Sequence, residues 1–360
     1  MKIAVVGSGI GGLSAAWLLS ARHEVTLFEQ SAALGMDAHS IDIETADGMA
    51  RVDVPLRVFF DGYYPNIAAL YRELQIDFEP INYAASFGLL DQKTHFRFDN
   101  YKLGRLAVPF LKGRLSFRRT ALRIGLDNLR FFRELSVSVA SGRIAQDTSL
   151  SDYVAANNYS RDFAEGFLYP AFAGICTCCL ESVKAYPAQV ILEYLNSDLL
   201  LRSVQRVTMG TRQVVGRLAK NVHSVRLNTT VTAVDPSTNG VTIRSDQGVS
   251  EYDHAVIAVQ ANQANDLLQG SASDDRRVLG QFNYEPSQVV VHTDERLAPR
   301  GGPSQWAPVN FIANDYGSTP MATIWLNSIQ DLPGQQAVFQ TWNPIRAPAP
   351  NKNLSQAAFD

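Results

Sequence analysis

Hydrophobic and polar positions in the first thirty residues follow a regular order. Residues 2–6 are an apolar run, residues 7–12 read Gly-Ser-Gly-Ile-Gly-Gly, and residues 13–20 are mostly small and apolar. A second apolar run at 24–28 ends at Glu29. Short apolar runs beside a helix of small residues are typical of a parallel sheet packed against helices. The pattern predicts strand, glycine turn (residues 7–12), helix, strand and acid, in that order.

The glycine turn fits a dinucleotide-binding site. Gly7 permits a tight bend, and Gly9 lets the backbone approach a pyrophosphate because no Cβ stands in the way. Gly12 lets the following helix pack closely on the strand. Ile10 and Gly11 open that helix, whose unpaired N–H groups and partial positive charge attract phosphate. We therefore assign these five residues to cofactor binding.

Glu29 lies 20 residues after Gly9. At this spacing a carboxylate accepts hydrogen bonds from ribose hydroxyls. A carboxylate disfavours NADP, because it would repel the extra phosphate, but it does not separate NAD from FAD. The complete arrangement of strands, turn, helix and acid favours dinucleotide binding over a turn that only packs.

Three later stretches extend this pattern. Residues 30–40 read Gln-Ser-Ala-Ala-Leu-Gly-Met-Asp-Ala-His-Ser, and residues 207–219 read as a second glycine turn and a helix. Residues 225–245 read as a hairpin, and residues 252–259 as an apolar strand. Together with the glycine turn, these stretches resemble the flavin-containing amine oxidase superfamily.

This resemblance implies an α/β fold and an FAD cofactor. The fold is a Rossmann-like FAD-binding domain of the amine-oxidase type with a discontinuous α+β substrate domain. The FAD-binding domain is expected at 1–80 plus 203–275. The substrate domain is expected at 81–202, a helical part, plus 276–345, a set of strands. Beyond the glycine turn and Glu29, the resemblance assigns to the cofactor Gln30, Gly35, Met36, Asp37, Val231 and Ala258.

A narrower resemblance lies in the last third of the chain. Residues 289–294, Trp306, residues 323–330 and residues 340–344 look like a branch of predicted NAD/FAD-binding oxidoreductases. Some members of that branch are associated with fatty-acid modification. Together the two resemblances cover nearly the whole chain.

Two features depart from the family pattern. Met36 stands where a second glycine is usual, and Asp37 stands where a basic residue is usual. A carboxylate at 37 would repel a pyrophosphate unless it pairs with a cation, for which Arg51 and Arg57 are the candidates. Residues 346–360 form a tail in place of the usual glycine-rich cover of the flavin. We expect that the sequence is truncated, that a partner chain or oligomer completes the site, or that flavin binding is impaired.

Composition narrows the class of protein. The chain has 46% hydrophobic residues, 19% charged residues and three cysteines, which excludes a disordered chain and a disulfide scaffold. The net charge of −3 gives no sign of nucleic-acid binding. Because no run approaches the roughly 20 apolar residues that span a bilayer, we expect a cytoplasmic protein.

Charge is unevenly distributed along the chain. Residues 101–133 contain nine basic residues and a single acid, Asp127, among apolar residues. The favoured interpretation is a helical segment with an apolar core face and a solvated basic face. The alternative is a contact with anionic lipid at a membrane surface, or with an anionic substrate.

Catalytic residues are hard to assign, because flavin chemistry needs few acid–base groups. His39, Arg57, Trp306 and Trp325 are candidates, and each is more often structural than catalytic. His292 is a further candidate base. The cluster Cys176, Cys178 and Cys179 lacks a fourth ligand for zinc, so we expect no metal and favour small buried residues near a substrate cavity.

Three functions remain open. The leading hypothesis is an FAD-dependent oxidoreductase that transfers a hydride from a hydrophobic substrate, a lipid or secondary metabolite, to flavin. The second is a redox-neutral isomerase or cyclase that takes and returns a hydride. The third is a non-catalytic or partner-completed flavoprotein subunit.

Overall fold

The structure is a computed structural model of the 360-residue chain. It describes residues 1–45, 48–92, 94–103, 106–111, 119–140, 142, 144–145, 147–197, 203–268 and 273–359.

Strands and helices follow one another in blocks along most of the chain. The strands are β1 (Lys2–Val6), β2 (Glu24–Phe28), β3 (Ile41–Thr45), β4 (Gly48–Val52), β5 (Phe78–Pro80), β6 (Ala85–Leu89), β7 (Phe96–Leu103), β8 (Leu106–Leu111), β9 (Gln205–Val207), β10 (Ser224–Arg226), β11 (Val231–Ser237), β12 (Gly240–Ser245), β13 (Gly248–Tyr252), β14 (His254–Ile257), β15 (Ser287–His292), β16 (Val309–Ala313), β17 (Met321–Trp325), β18 (Phe339–Trp342) and β19 (Asn353–Phe359). The α-helices are α1 (Ile10–Ser20), α2 (Pro65–Glu73), α3 (Arg119–Ala140), α4 (Leu150–Ala156), α5 (Arg161–Phe163), α6 (Tyr169–Cys176), α7 (Leu180–Ala185), α8 (Ala188–Asn196), α9 (Thr211–Ala219), α10 (Ala261–Leu267) and α11 (Ser273–Leu279). A π-helical turn at Ala164–Leu168 joins α5 to α6, and short 3₁₀ helices lie at Gly35–Asp37, Glu295–Leu297, Leu326–Ser328 and Pro350–Lys352.

A four-stranded parallel sheet forms the nucleotide domain. Its strand order is β10-β2-β1-β14, and all three neighbouring pairs run parallel. Alternate residues of each strand face opposite sides, so Val5 and Leu27 pack against α1 and α9. Val6 and Phe28 pack on the other side, against the antiparallel sheet of β11, β12 and β13. Burial on both faces explains why these strands are continuous apolar runs.

A second sheet of eight strands has the order β19-β15-β18-β17-β16-β6-β7-β8. Its neighbouring strands are antiparallel except for β6 and β16, which run parallel. Across that pair the buried Ser86 hydroxyl donates to the side-chain oxygen of Asn310 at 2.7 Å. The sheet therefore joins two parts of the chain that are distant in sequence.

The prediction that residues 81–202 are helical is wrong for their first third. Residues 85–89, 96–103 and 106–111 form β6, β7 and β8. The order Phe96, Arg97, Phe98 has the period of two of a strand, which the charge-rich composition hides. Arg97 is itself buried, and its guanidinium donates to the carbonyl of Ser304 at 3.1 Å.

Residues 119–196 form a helical layer on this sheet. Side chains from α3 through α8 share one core, in which Phe131, Phe163 and Leu192 are at most 1% exposed. Ile124 of α3 packs with Phe87 of β6, so the layer lies directly on the sheet. Within the described chain no helix is long and apolar enough to cross a membrane.

The basic segment at 101–133 is not one helix. It includes the end of β7, all of β8 and the first two-thirds of α3, while residues 104–105 and 112–118 lie outside the described residues. In α3 the predicted core face is present, since Ala121 and Ile124 are buried, and Arg119 and Arg123 are exposed as expected. The exposed side also contains leucines at 122, 126 and 129, which the prediction placed in the core.

Residues 353–359 lie in the region that the sequence assigns to a tail. In the structure they form β19, an edge strand that pairs antiparallel with β15 from Ser287 to His292. Ala357 is buried in the core beneath this edge. This stretch is therefore part of the large sheet.

Candidate functional site

The glycine turn contains two glycines that the fold itself requires. Gly7 has a φ of +94°, and a Cβ there would lie 2.8 Å from the carbonyl oxygen of Ala258. A Cβ on Gly12 would lie 1.9 Å from the carbonyl oxygen of Gly7. Close packing of β1, α1 and the residue after β14 therefore depends on these two positions, and Ala258 lies beside the turn.

The other two glycines face open space. A Cβ on Gly9 or Gly11 would meet no heavy atom within 4 Å. Gly9 is also the N-cap of α1 and supplies no side-chain cap, so the N–H groups from Ile10 onward have no side-chain acceptor at this end. An uncapped N-terminus of an eleven-residue helix beside open space fits a phosphate group.

Glu29 is the centre of a hydrogen-bond network behind the turn. Its carboxylate accepts from the Ser8 N–H at 3.2 Å, from the Ser8 hydroxyl, and from the Ser31 N–H at 2.8 Å. The Ser8 hydroxyl in turn accepts from the N–H of Gly35 at 2.8 Å. A carboxylate has about four acceptor positions, so Glu29 keeps capacity for ribose hydroxyls.

Ser8 and Ser31 were absent from the sequence-based site. In the sequence, Ser8 can be recognised only as a hydroxyl inside the glycine turn. Neither its spacing from Glu29 nor the composition shows which group its hydroxyl bonds. The network joins the glycine turn, the acid and the following loop into one unit.

Gly35 and Met36 have different structural roles in the loop after Glu29. Gly35 has a φ of +32°, and a Cβ there would lie 1.6 Å from the carbonyl oxygen of Ser8, so this loop touches the glycine turn. Met36 points into the core on the α1 side of the sheet and is 8% exposed. Gln30, the remaining residue assigned to the cofactor in this loop, is exposed.

The carboxylate of Asp37 is neutralised by two arginines. Arg51 lies 2.7 Å from one oxygen and Arg212 lies 3.3 Å from the other. Arg51 also pairs with Asp42 at 3.0 Å. Burial acts to lower the pKa of Arg51, but the hydrogen bonds to these two carboxylates outweigh it and raise that pKa. Of the two predicted partners Arg51 is the cation, whereas Arg57 does not contact Asp37, and Arg212 was not predicted.

Val231 lies near the acid in space, although the two are far apart in sequence. The N–H of Thr229 donates to the carbonyl of Glu29 at 2.9 Å, and Val231 opens β11 two residues later. The residues assigned to the cofactor, from the glycine turn to Val231 and Ala258, are therefore grouped at one edge of the parallel sheet.

A large cavity lies between the nucleotide domain, the eight-stranded sheet and the helical layer. This central cavity has a volume of about 910 Å³. Its wall is mostly apolar and aromatic, and Gln260, just after β14, brings it to the edge of the nucleotide domain. Aromatic side chains in the wall include Phe60, Tyr64, Phe87, Tyr194, Phe311 and Trp342.

Two charged side chains, Arg57 and Glu285, are found among the described residues of this wall. Glu285 accepts hydrogen bonds from the Ser182 hydroxyl and the Cys179 N–H, which lower its pKa. Burial lowers the pKa of Arg57, although the carboxylate of Asp53 opposes it. A guanidinium stays protonated even so, so the wall carries a positive charge at Arg57 and a negative charge at Glu285.

Three tyrosines of the same wall supply neutral donors: Tyr83 and Tyr194 are half-buried, and Tyr64 is more exposed. Burial raises the pKa of Tyr83 to about 12 and also raises the pKa of Tyr64 and Tyr194. Their hydroxyls stay protonated over the physiological range, so they can donate hydrogen bonds without carrying charge.

The other catalytic candidates lie outside this wall. His39 is exposed, and its ring meets Phe359 edge-on at 5.2 Å. The ring centroids of Trp306 and Trp325 lie 5.3 Å apart. Both tryptophans line a second cavity, which shares no lining residue with the central cavity. Trp342, which was not a catalytic candidate, is the tryptophan that lines the central cavity.

His292 is a structural residue of the large sheet. It is fully buried, its Nε2 lies 2.7 Å from the Thr341 hydroxyl, and its Nδ1 accepts from the Asp294 N–H. Burial lowers its pKa to about 4, so the ring is neutral at neutral pH. It does not line the central cavity.

The cysteines lie at the turn between α6 and α7. Cys176 and Cys178 line the central cavity, and Cys176 is exposed rather than buried as we expected. Across the described ranges, no group of three or more His, Cys, Asp and Glu side chains is arranged to hold a metal ion.

Comparison with known proteins gives one family match. Residues 5–74 match the family model of an NAD(P)-binding Rossmann-like domain. This segment includes the glycine turn and Glu29. No curated protein matches the chain.

Solved structures match over nearly the whole chain. Cyclohexylamine oxidase from Brevibacterium oxydans has a TM-score of 0.67 at 15% identity, covering 100% of this chain and 84% of its own. A fatty acid isomerase from P. acnes, described as CLA-producing, has a TM-score of 0.65 at 13% identity, covering 99% of this chain and 85% of its own. An oxidoreductase from Methanosarcina mazei has a TM-score of 0.64 at 12% identity, covering 100% and 88%. At these identities the likeness establishes the fold, and it confirms the predicted amine-oxidase-type architecture with a Rossmann-like domain.

Proposed function

We propose that this chain, whose fold is that of the amine oxidases, is an FAD-dependent oxidoreductase acting on a hydrophobic substrate. The observation that carries the proposal is the large, mostly apolar and aromatic central cavity, which reaches the edge of the Rossmann-like domain at Gln260. Ligand sites commonly lie in such clefts between domains. When bound, FAD supplies a two-electron acceptor for a hydride from the substrate.

The residues of the nucleotide domain fit the pyrophosphate and ribose of a dinucleotide. Space over Gly9 and Gly11 and the uncapped N-terminus of α1 suit phosphate, and Glu29 suits a ribose. Asp37 does not oppose this fit, because Arg51 and Arg212 offset its charge.

The wall of the cavity has three tasks in this reaction. Its aromatic side chains bind an apolar substrate and exclude water, which strengthens every polar interaction inside. The neutral hydroxyl of Tyr83 orients a polar group by donating a hydrogen bond. Arg57 attracts an acidic group of the substrate, so an amphipathic molecule is favoured over a small amine.

The purified chain, reconstituted with FAD, tests this proposal directly. We expect a yellow protein whose visible flavin absorption is lost anaerobically on addition of a long-chain carboxylic acid or a similar lipid. Gly9→Ala is the control, since it fills the open space over the turn and lowers FAD uptake. A protein that stays colourless, or one bleached by small amines but by no lipid, would contradict the proposal.

Redox-neutral isomerisation is a second candidate. The likeness to a fatty acid isomerase favours it, since that protein shares the fold over 99% of this chain. The two reactions differ in their need for an electron acceptor. Repeated anaerobic turnover without net loss of flavin absorption would support isomerisation, whereas one turnover per flavin would support oxidation.

We also propose that one face of α3 contacts anionic lipid. Leu122, Leu126 and Leu129 are 46%, 67% and 72% exposed, and their spacing places them on one face of the helix. Exposed Arg119 and Arg133 flank this row. Leucines bordered by arginines match the acyl chains and the negative headgroups of an anionic bilayer.

Sedimentation with vesicles tests this contact. We expect the chain to bind vesicles containing phosphatidylserine and not vesicles of phosphatidylcholine alone. Leu126→Gln with Leu129→Gln should abolish binding, while Leu18→Gln, which changes an equally exposed leucine of α1, should not. Equal binding by the double variant would contradict the proposal.

A further inference from the structure

The turn between α6 and α7 brings two thiols together. α6 ends at Cys176, and Thr177 adopts the left-handed region, with a φ of 54° and a ψ of 32°. This conformation is unusual for a β-branched residue. Beyond it, the N–H of Cys178 donates back to the carbonyl of Ala173 at 3.2 Å. The chain thereby reverses at Thr177, with Cys176 on one side of the reversal and Cys178 on the other.

Both of these thiols open onto the central cavity. Cys176 is exposed, Cys178 is half-buried, and both are free and part of the cavity wall. A small molecule that enters the cavity can therefore reach either sulfur.

The third thiol has different neighbours. The Cys179 N–H donates to the carboxylate of Glu285 at 2.7 Å, and its sulfur lies 3.4 Å from the hydroxyl of Ser182. Cys179 caps α7 and does not line the central cavity. The turn thus contains a pair of thiols on the cavity side and one separate thiol.

The pair is chemically asymmetric. Cys176 is exposed whereas Cys178 is half-buried, so a molecule in the cavity meets the Cys176 sulfur first. The interaction between the two side chains also lowers the pKa of Cys176, with burial acting against it, and raises the pKa of Cys178. A thiol whose thiolate is stabilised reacts first with a disulfide, and a protonated neighbour completes the exchange. These are the roles of an attacking and a resolving cysteine.

We propose that Cys176 and Cys178 are a redox-active dithiol that exchanges with small disulfides entering the central cavity. The Cys176 sulfur attacks one sulfur of the disulfide, whose S–S bond breaks and releases a thiolate. The Cys178 sulfur then attacks Cys176, releasing the second thiolate and closing a Cys176–Cys178 bond. The two cysteine protons pass to the released thiolates. Two protein thiols are oxidised, and one disulfide is reduced to two thiols.

Oxidised glutathione is the probe, and the readout is intact mass and peptide mapping after alkylation of free thiols. In the wild-type chain, we expect a linked peptide that joins Cys176 to Cys178 and alkylation of Cys179 alone. Cys178→Ser should accumulate glutathione on Cys176, because the resolving thiol is gone. Cys176→Ser should react about tenfold more slowly and form no internal bond. Cys179→Ser is the matched control and should behave as the wild type.

Three results would overturn the proposal. One is a wild-type chain in which all three thiols are still alkylated after treatment. Another is loss of the internal bond in Cys179→Ser, which would indicate a Cys178–Cys179 pair instead. The third is equal trapping of glutathione in Cys176→Ser and Cys178→Ser. Peptide mapping of the wild type needs no variant, so the proposal stays testable even if a serine variant folds poorly.

Discussion

The glycine turn and the central cavity differ in how far apart in the sequence their residues lie. The turn and its supporting loop span residues 7–37, whereas the cavity wall runs from Pro55 to Phe359. In the turn, one added methyl at Gly12 would meet a backbone oxygen at 1.9 Å. In the cavity, many side chains each contribute a small part of an apolar surface. Position-specific effects are therefore expected in the turn and graded effects in the cavity.

The largest expected effect lies in the turn. Gly12→Ala should lower the free energy of unfolding by about 3 kcal/mol or more, because Cβ would overlap the Gly7 carbonyl. At Gly9 the backbone has a φ of −61°, which alanine adopts readily, and the space around the position is open. Gly9→Ala should change the unfolding free energy by less than about 1 kcal/mol and still reduce FAD uptake. Urea unfolding that finds the two variants equally stable would remove the distinction between packing and binding glycines.

The next effect tests the network behind the turn. Ser8→Ala removes the hydroxyl that donates to Glu29 and accepts from Gly35, which should cost about 2 kcal/mol of unfolding free energy. Ser31→Ala is the control, because Ser31 donates through its backbone N–H and keeps that bond. Equal losses in the two variants, measured by urea unfolding, would show that the hydroxyl of Ser8 has no special role.

A smaller effect is expected in the cavity, where Arg57 acts through charge. Arg57→Met keeps most of the side-chain length and should weaken binding of a long-chain carboxylic acid about tenfold, roughly the value of one charged hydrogen bond. Binding of the methyl ester of the same acid should be unchanged, and Arg57→Lys should retain part of the preference. If calorimetry shows that Arg57→Met weakens binding of the acid and of its ester equally, Arg57 contributes to binding through packing and not through charge.

The smallest effect concerns Asp37 at the edge of the turn. Arg51→Ala leaves Asp37 with Arg212, an exposed partner, and should weaken FAD binding about threefold, as for other partly exposed ion pairs. Adding Asp37→Asn should restore binding, because the uncompensated charge is removed. Arg57→Ala combined with Asp37→Asn should show no such rescue. Flavin fluorescence titration distinguishes these results, and a lack of rescue in the Arg51 variant would exclude charge as the cause.

The parts of the fold that could be predicted from sequence are local. β1, the glycine turn, α1, β2 and Glu29 follow one another within 30 residues, and each leaves its own pattern. The resemblance added the later helix and hairpin. Ser8 shows the limit even here, because a hydroxyl has several acceptors within reach and sequence does not choose among them.

The parts that could not be predicted depend on distant pairing. The parallel contact of β6 with β16 decides which side chains face the cavity, and no local period reveals it. Trp306, Trp325 and Trp342 look alike as sequence, yet the register of the sheet sends two to the second cavity and one to the central cavity. Arg57 lies in a loop that also depends on distant contacts, because the side chain of Gln340 in β18 bonds the backbone of Asp53 and Leu56. The pairing of Arg51 with Asp37 was short-range enough to be one of two candidates.

The pairing of β15 with β19 also sets the order in which the chain can fold. The last strand of the nucleotide sheet ends at Ile257, so that sheet can form before β15 to β19 have been synthesised. The eight-stranded sheet must wait for residues 353–359, and contacts so distant in sequence form slowly. Before residues 309–313 are synthesised β6 has no parallel neighbour, and before residues 353–359 are synthesised the outer edge of β15 is unpaired. Each such edge is a site where nascent chains can associate. The step most exposed to misfolding is therefore the completion of the eight-stranded sheet.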